Sequence, residues 1–310
     1  MIRLAAALLA LLVLMTTSSP AQTPETLHLL ASPVDDVMPV LYAQRAGLFA
    51  RAGLSVVLDR ATNGGAVAAA VAGGAADIGK GDIGMIIAAH ARDVPLVIVA
   101  PAAVYDPRTP DCVLLVPASS TIRSPRDLVG KTIGVASLNS VMTVAIQAWL
   151  EASGVNSAST QFVEIPYSQM AQALARGRVD ATTPVKPFIA DAVASGDARV
   201  AYPIYSAIAP RFLESVWFAN RDFVAKHQGA IAAFARTVAQ ASAFTNAHQA
   251  DTVDLLSAWA NIDRDRASRM QRIVTGSVLD ARDIQPVIDA YATFKLIAKP
   301  FAAREIMLER

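Results

Sequence analysis

The feature that most constrains this chain is a regular exchange between two hydrophobic periods. From Leu27 onward, strand-like apolar runs alternate with segments whose apolar residues recur at helical spacing. TLHLLAS is followed by MPVLYAQRAGLFARAG, LSVVLDR by GAVAAAVAGG, and IIAAHARD by the β-branched PLVIVAPAAV. A second series starts after SPRDLVGKTIGVAS, with strands KTIGVAS, TQFVEIP, RVDATTP and RVAYPI separated by helices SVMTVAIQAWLEASG, YSQMAQALARG and FIADAVASG. Such alternation builds βαβ units and a mainly parallel sheet, so the fold class is α/β. From ESVWFANRDFV the pattern turns mostly helical, through GAIAAFARTVAQASAFTNAH and DIQPVIDAYATFKLIAK. A chain of 310 residues exceeds one typical domain, which predicts two lobes.

The two series share a local pattern. AAAVAGGAADIGKGDIG and QALARGRVDATTPVKP both read helix, glycine, two linking residues, aspartate, turn. Aligning Gly74 with Gly177 brings Asp77 onto Asp180. This predicts lobes of related design.

The first residues, MIRLAAALLALLVLMTTSSPAQ, place Arg3 before an unbroken apolar run from Leu4 to Met15, then small and polar residues up to Ala21. That is the layout of a secretory signal peptide cut after Ala21. The run is too short to span a bilayer, which takes about 20 apolar residues. The expected mature protein is exported to the periplasm. Without Arg3, basic and acidic residues are equal in number and no run of like charge remains, which argues against a nucleic-acid or anionic-membrane partner. A single cysteine, Cys112 in DCVLLVP, excludes a disulfide framework and reads as a small buried hydrophobe. His28, His90, His227 and His248 are scattered without metal-ligand spacing, and no G-x-S-x-G elbow occurs. No cofactor, metal or catalytic set is therefore expected.

Gly79-Lys80-Gly81-Asp82-Ile83-Gly84 matches the dinucleotide pattern G-x-G-x-x-G, but its context fails. That fingerprint needs a continuous apolar strand before it and an acidic residue about 20 positions later, at the end of the next strand. Here a glycine-broken helix and a very short apolar piece precede it, and PLVIVA ends in Pro101. A better reading keeps the physics and changes the ligand: glycines admit close backbone approach, and helix starts point free N–H groups beyond the strand ends. The expected rim of lobe one consists of Ser32–Val37, Thr62–Gly65 and Gly79–Gly84. That of lobe two consists of Leu138–Val141, Tyr167–Ser168 and Thr183–Pro187. Two facing rims make a closing trap for a small molecule.

Five segments, YAQRAGLFARAGLSV, GGAVAAAVAGGAADIGKGDIG, DLVGKTIGV, ALARGRVDATTPVKP and WFANRDFVAKH, resemble in order those of nitrate/sulfonate/taurine-type solute-binding proteins. These form the SsuA/TauA-like branch of the type II periplasmic binding proteins. The resemblance implies two α/β lobes, the second inserted in the first, with a ligand cleft between them. It also implies a membrane permease and its ATPase as partners of a monomeric receptor. The corresponding division is 1–21 signal, 22–116 lobe one, 117–215 lobe two and 216–310 the rest of lobe one. Related branches that do chemistry or bind DNA carry features this chain lacks: a cysteine-rich motif, a cofactor-tethering cysteine, an N-terminal helix-turn-helix.

Candidate solute contacts follow from the rims. Asp35 and Asp36 either serve a helix start or offer a carboxylate to the solute. Asn63, Gly64 and Gly65 cap the next helix or also donate backbone N–H groups, and Gly81 permits close approach. Lys80 and Lys186 either reach water or pair with an anion. Asp82 caps the following helix or touches solute, Asn139 and Ser140 open a helix suited to an anion, and Tyr167 and Trp217 are candidates for the apolar cleft wall. The ligand's charge stays open, since lysines favour an anion and aspartates a polar or cationic group. The competing functions are an exported sensor feeding a membrane signalling partner and an exported enzyme on the same fold.

Overall fold

The computed structural model describes residues 23–61, 64–110, 112–186 and 188–308. The expected signal peptide and Asn63 lie outside the described residues. Among the described residues, twelve strands form two five-stranded sheets and one short ribbon. The first sheet contains β1 (Glu25–Ala31), β2 (Leu54–Arg60), β3 (Ile78–Asp82), β4 (Leu96–Pro101) and β12 (Ser215–Asn220), in the order β2-β1-β3-β12-β4. The second contains β6 (Leu114–Pro117), β7 (Thr132–Val135), β8 (Gln161–Glu164), β9 (Ala181–Thr182) and β10 (Ala198–Tyr202), in the order β10-β6-β9-β7-β8.

Read from the β2 and β8 edges, the two orders are the same. In each sheet the fourth strand, β12 or β6, runs antiparallel to both neighbours while the others share one direction. The odd strand is in both cases the one that enters from the other lobe. The two entering segments pair on the way: β5 (Val104–Tyr105) lies antiparallel to β11 (Phe212–Leu213). Tyr105, Tyr205 and Phe212 pack there with ring centroids 5.3–5.7 Å apart.

Helices cover both faces of the first sheet. One face meets α1 (Met38–Arg45), α9 (Gln228–Ala247) and α10 (Val253–Ala260), through Val40, Phe234, Val238 and Leu256. The other meets α3 (Gly64–Ala72), α4 (Ile83–His90) and α12 (Gln285–Thr293). Helix α12 also packs on α5 (Val141–Ala152) of the second lobe, so one apolar cluster runs from Val67 and Ile86 through Val287 and Tyr291 to Val144.

The internal likeness seen in the sequence has a physical cause. The Asp77 carboxylate accepts the His28 N–H at 2.7 Å, and the Asp77 N–H donates to the His28 carbonyl at 2.9 Å. In the second lobe Asp180 does both for Thr132, at 2.9 Å each. Gly74 and Gly177 precede them at φ 76° and 65°, a left-handed turn that glycine adopts without steric cost. Each aspartate thus locks the third strand of its sheet, β3 or β9, onto the second, β1 or β7.

Two expectations change. The segment SVWFAN is an inner strand rather than a passage into helices; its β-branched and aromatic residues are buried on both faces, and such strands show no alternation. The helix expected over Met38–Gly53 is divided, with α2 (Leu48–Arg51) separate from α1.

Candidate functional site

The Gly79–Gly84 segment is not a loop. Gly79, Lys80, Gly81 and Asp82 belong to β3, and α4 begins at Ile83. Strand alternation puts both glycines on the α3 face and Lys80 on the opposite one. A Cβ on Gly79 would collide with Val67, Val71 and Phe218, one on Gly81 with Met85, and one on Gly84 with the Tyr291 ring and hydroxyl. The glycines let helices and aromatic rings approach the strand end; no phosphate is needed to account for them.

Asp35 and Asp36 sit in the single turn before α1, and neither side chain caps a helix. Both are buried in ion pairs. Asp35 takes the Arg272 guanidinium at 2.5–3.0 Å and the Ile273 N–H at 2.8 Å. Asp36 holds Lys80 Nζ with both oxygens at 2.7 Å and accepts the Ser215 hydroxyl at 2.5 Å. Lys80 is therefore not turned to water: its side chain is 7% exposed. Lys186 is likewise buried, donating to the Thr109 carbonyl at 3.2 Å. Sequence reading did not pair Arg272 or Ser215 with these aspartates, because separations of 237 and 179 residues leave no local signal.

Trp217 is a core residue. It is fully buried beside Lys80 in register, packs edge-on against Phe234 at 5.7 Å, and belongs to the cluster under α9. Its place in the register puts it on the α1/α9 face, within the core of the first lobe. Gly64 and Gly65 open α3, half-buried and exposed respectively. Tyr167 opens α6 (Tyr167–Ala175), stacks on Phe188 at 5.8 Å and reaches Met142 Sδ at 3.9 Å. Cys112 is buried, so its thiol is not presented to solvent.

Across the two lobes Asp82 meets Val141 and Tyr291 meets Asn139. Asp82 caps α4 through the Gly84 N–H at 2.8 Å. Its two oxygens also lie 3.3 Å from the N–H of Val141, the first residue of α5. Ser140 precedes α5 with its hydroxyl on the Ser137 carbonyl at 2.8 Å, leaving the helix N–H groups to the junction. Tyr291 donates to the Asn139 carbonyl at 2.7 Å. A carboxylate at a helix N-terminus is favoured by the unpaired N–H groups and the helix dipole. Burial nevertheless outweighs those contacts and raises the Asp82 pKa to about 6. Burial, and then the Asp82 charge, lift the Tyr291 hydroxyl well above its ordinary value.

Two sheets of one topology, joined by a paired crossover and meeting at strand ends and helix starts, define the two-lobed fold of the periplasmic binding proteins. The chain belongs to the NMT1/THI5-like family, whose model matches residues 35–252. The alkanesulfonate-binding protein SsuA from Xanthomonas axonopodis pv. citri, solved with MOPS, is 18% identical with a TM-score of 0.77, covering 93% of this chain and 99% of its own. The periplasmic nitrate-binding protein NrtA from Synechocystis PCC 6803 is 14% identical with a TM-score of 0.75, covering 91% and 84%. DszB, an enzyme solved with biphenyl-2-sulfinic acid, is 16% identical with a TM-score of 0.66, covering 93% and 97%. At such identities the likeness is one of fold. No curated protein matches the sequence.

Proposed function

We propose that the protein is the exported, non-enzymatic solute receptor of an ABC importer, delivering a small organic ion or nitrogen/sulfur compound to a permease and its ATPase. The observation that carries this reading is the inter-lobe junction, where the end of β3 in the first sheet faces the start of α5 in the second. Ligands of open α/β sheets sit beyond the carboxyl ends of strands. Contacts that form only when both rims touch the solute shift the lobes toward closure, and no bond needs to break. The lobes divide as 22–116 with 216–310 against 117–215, and the export signal is 1–21. Family membership and the binding proteins among the similar folds support the reading.

The test is a thermal-shift screen of sulfonates, carboxylates, amino acids and pyrimidines, followed by a distance measurement. Val57→Cys and Val200→Cys place labels on exposed positions of β2 and β10, in a Cys112→Ala background. A bound compound is expected to change the label distance and stay chemically intact. A compound that binds with the distance unchanged, or is turned over, sinks the receptor reading.

A further inference from the structure

If the protein is a solute receptor, the junction also says what charge the solute carries. The cations that would attract an anion there are engaged within the chain. Lys80 is held by both oxygens of Asp36 and Arg272 by Asp35, while Lys186, still charged, is turned to the Thr109 carbonyl. At the junction itself the attraction for an anion, the free N–H at the start of α5, faces the chain's own Asp82 carboxylate at 3.3 Å. An incoming anion would meet that like charge at the half-buried lobe junction.

Asp82 itself is short of donors. An ionised carboxylate has about four lone-pair sites. Among the described residues it takes the Gly84 N–H at 2.8 Å and the long contact from Val141, with the Met85 N–H nearby, and no side-chain donor hydrogen-bonds to it. The titratable groups that face it are Lys80, on its own strand and engaged with Asp36, and Tyr291 of α12, whose hydroxyl goes to Asn139. Helix α5 brings the Val141 backbone N–H to it. A half-buried carboxylate with unfilled acceptor sites gains from a donor supplied by a guest.

We infer that Asp82 is the charge-selecting residue of the cleft, and that the solute presents an N–H donor to it: an ammonium, an amidine or an amino-substituted ring. Simple anions are excluded at neutral pH. This inference rests on the receptor reading and names the solute class for it. It also separates this chain from the proteins of similar fold whose names specify sulfonate or nitrate.

The experiment is calorimetric titration of the purified protein with agmatine, benzamidine and 4-aminopyrimidine as donor probes, and ethanesulfonate and nitrate as anion probes. At pH 7.5 at least one donor probe is expected to bind and the anions not. Donor binding is expected to weaken tenfold or more at pH 5, because Asp82, with a pKa near 6, takes a proton and loses its charge. Asp82→Asn is expected to lose that pH dependence, to bind the donor probe at least tenfold more weakly, and to gain anion binding. A purely structural role would weaken donors and anions alike, which would overturn the inference. So would nitrate or ethanesulfonate binding the unaltered protein at pH 7.5, an outcome that leaves the receptor reading standing. Failure of every probe to bind counts against both. Should Asp82→Asn not fold, the pH series on the unaltered protein decides alone.

Discussion

The third strands of the two sheets occupy one place in one topology, yet the sequence has filled them with opposite chemistry. In lobe one β3 buries Lys80 against Asp36 and carries Asp82 to the junction. In lobe two the position equivalent to Lys80 is Thr183, fully buried, with its hydroxyl on the Gly134 carbonyl at 3.3 Å and near Met142 Sδ at 3.6 Å. At these two equivalent positions the charge stands in the first lobe and a neutral hydroxyl in the second. A shared backbone design therefore does not share out function. The aspartates that hold the strands are duplicated, and the groups at the junction differ between the lobes.

That contrast is broken most directly by removing its ion pairs. Asp35→Ala and Asp36→Ala each leave a buried cation without its counter-charge, a change that costs about 3–5 kcal/mol. Thr183→Val removes only a neutral hydrogen bond, and the expected loss is about 1 kcal/mol. Urea denaturation of the three variants checks this; equal losses in both lobes would erase the distinction. The junction gives the next effect. The native Asp82 pKa, about 6, lies above its ordinary 3.8, so the folded state holds the proton more tightly than the unfolded one. Its contribution is present below pH ~4 and is lost as pH rises to ~6, about 3 kcal/mol at 1.36 kcal/mol per unit. Asp106 and Asp280, held near 2 by Arg108 and Arg282, act in the opposite sense but equally in both proteins. Stability measured from pH 4 to 7 should thus fall more steeply for the unaltered protein than for Asp82→Asn; parallel curves would show that Asp82 is not desolvated.

What the sequence made legible was whatever depends on neighbours along the chain. The strand LSVVLDR falls at Leu54–Arg60 as read, and the long helix around Ile231, Phe234, Val238 and Phe244 spans Gln228–Ala247. Asp77 and Asp180 aligned because their roles are local to a helix–turn–strand unit. The antiparallel strand β12 was hidden, since a continuous apolar run carries no period to separate strand from helix. The site was the least legible part. Whether Lys80 faces water or Asp36 depends on a residue 44 positions away. Asp82 was read as a helix cap, and it is one; its second role, toward Val141, appears only when the lobes are brought together.

Smaller effects sharpen the comparison at its two ends. Gly84→Ala puts a methyl group where the buried Tyr291 ring and hydroxyl now stand, against a ring already fixed to the Asn139 carbonyl. Overpacking of this kind costs about 1–3 kcal/mol, and it should also loosen the lobes, because Tyr291 bridges them. The mildest test concerns the duplicated locks. Asp77→Ala removes the acceptor of the His28 N–H, and Asp180→Ala that of the Thr132 N–H. Both sites admit water, so each change should cost about 1 kcal/mol, and the two losses should agree within a few tenths. If the locks are equivalent, thermal melts of the single variants will shift alike and the double variant will show their sum, since the two sites share no partner. A large loss at one site alone would mean that one lobe depends on its lock for folding and the other does not, and the likeness between the sheets would then be one of shape without a shared energetic design.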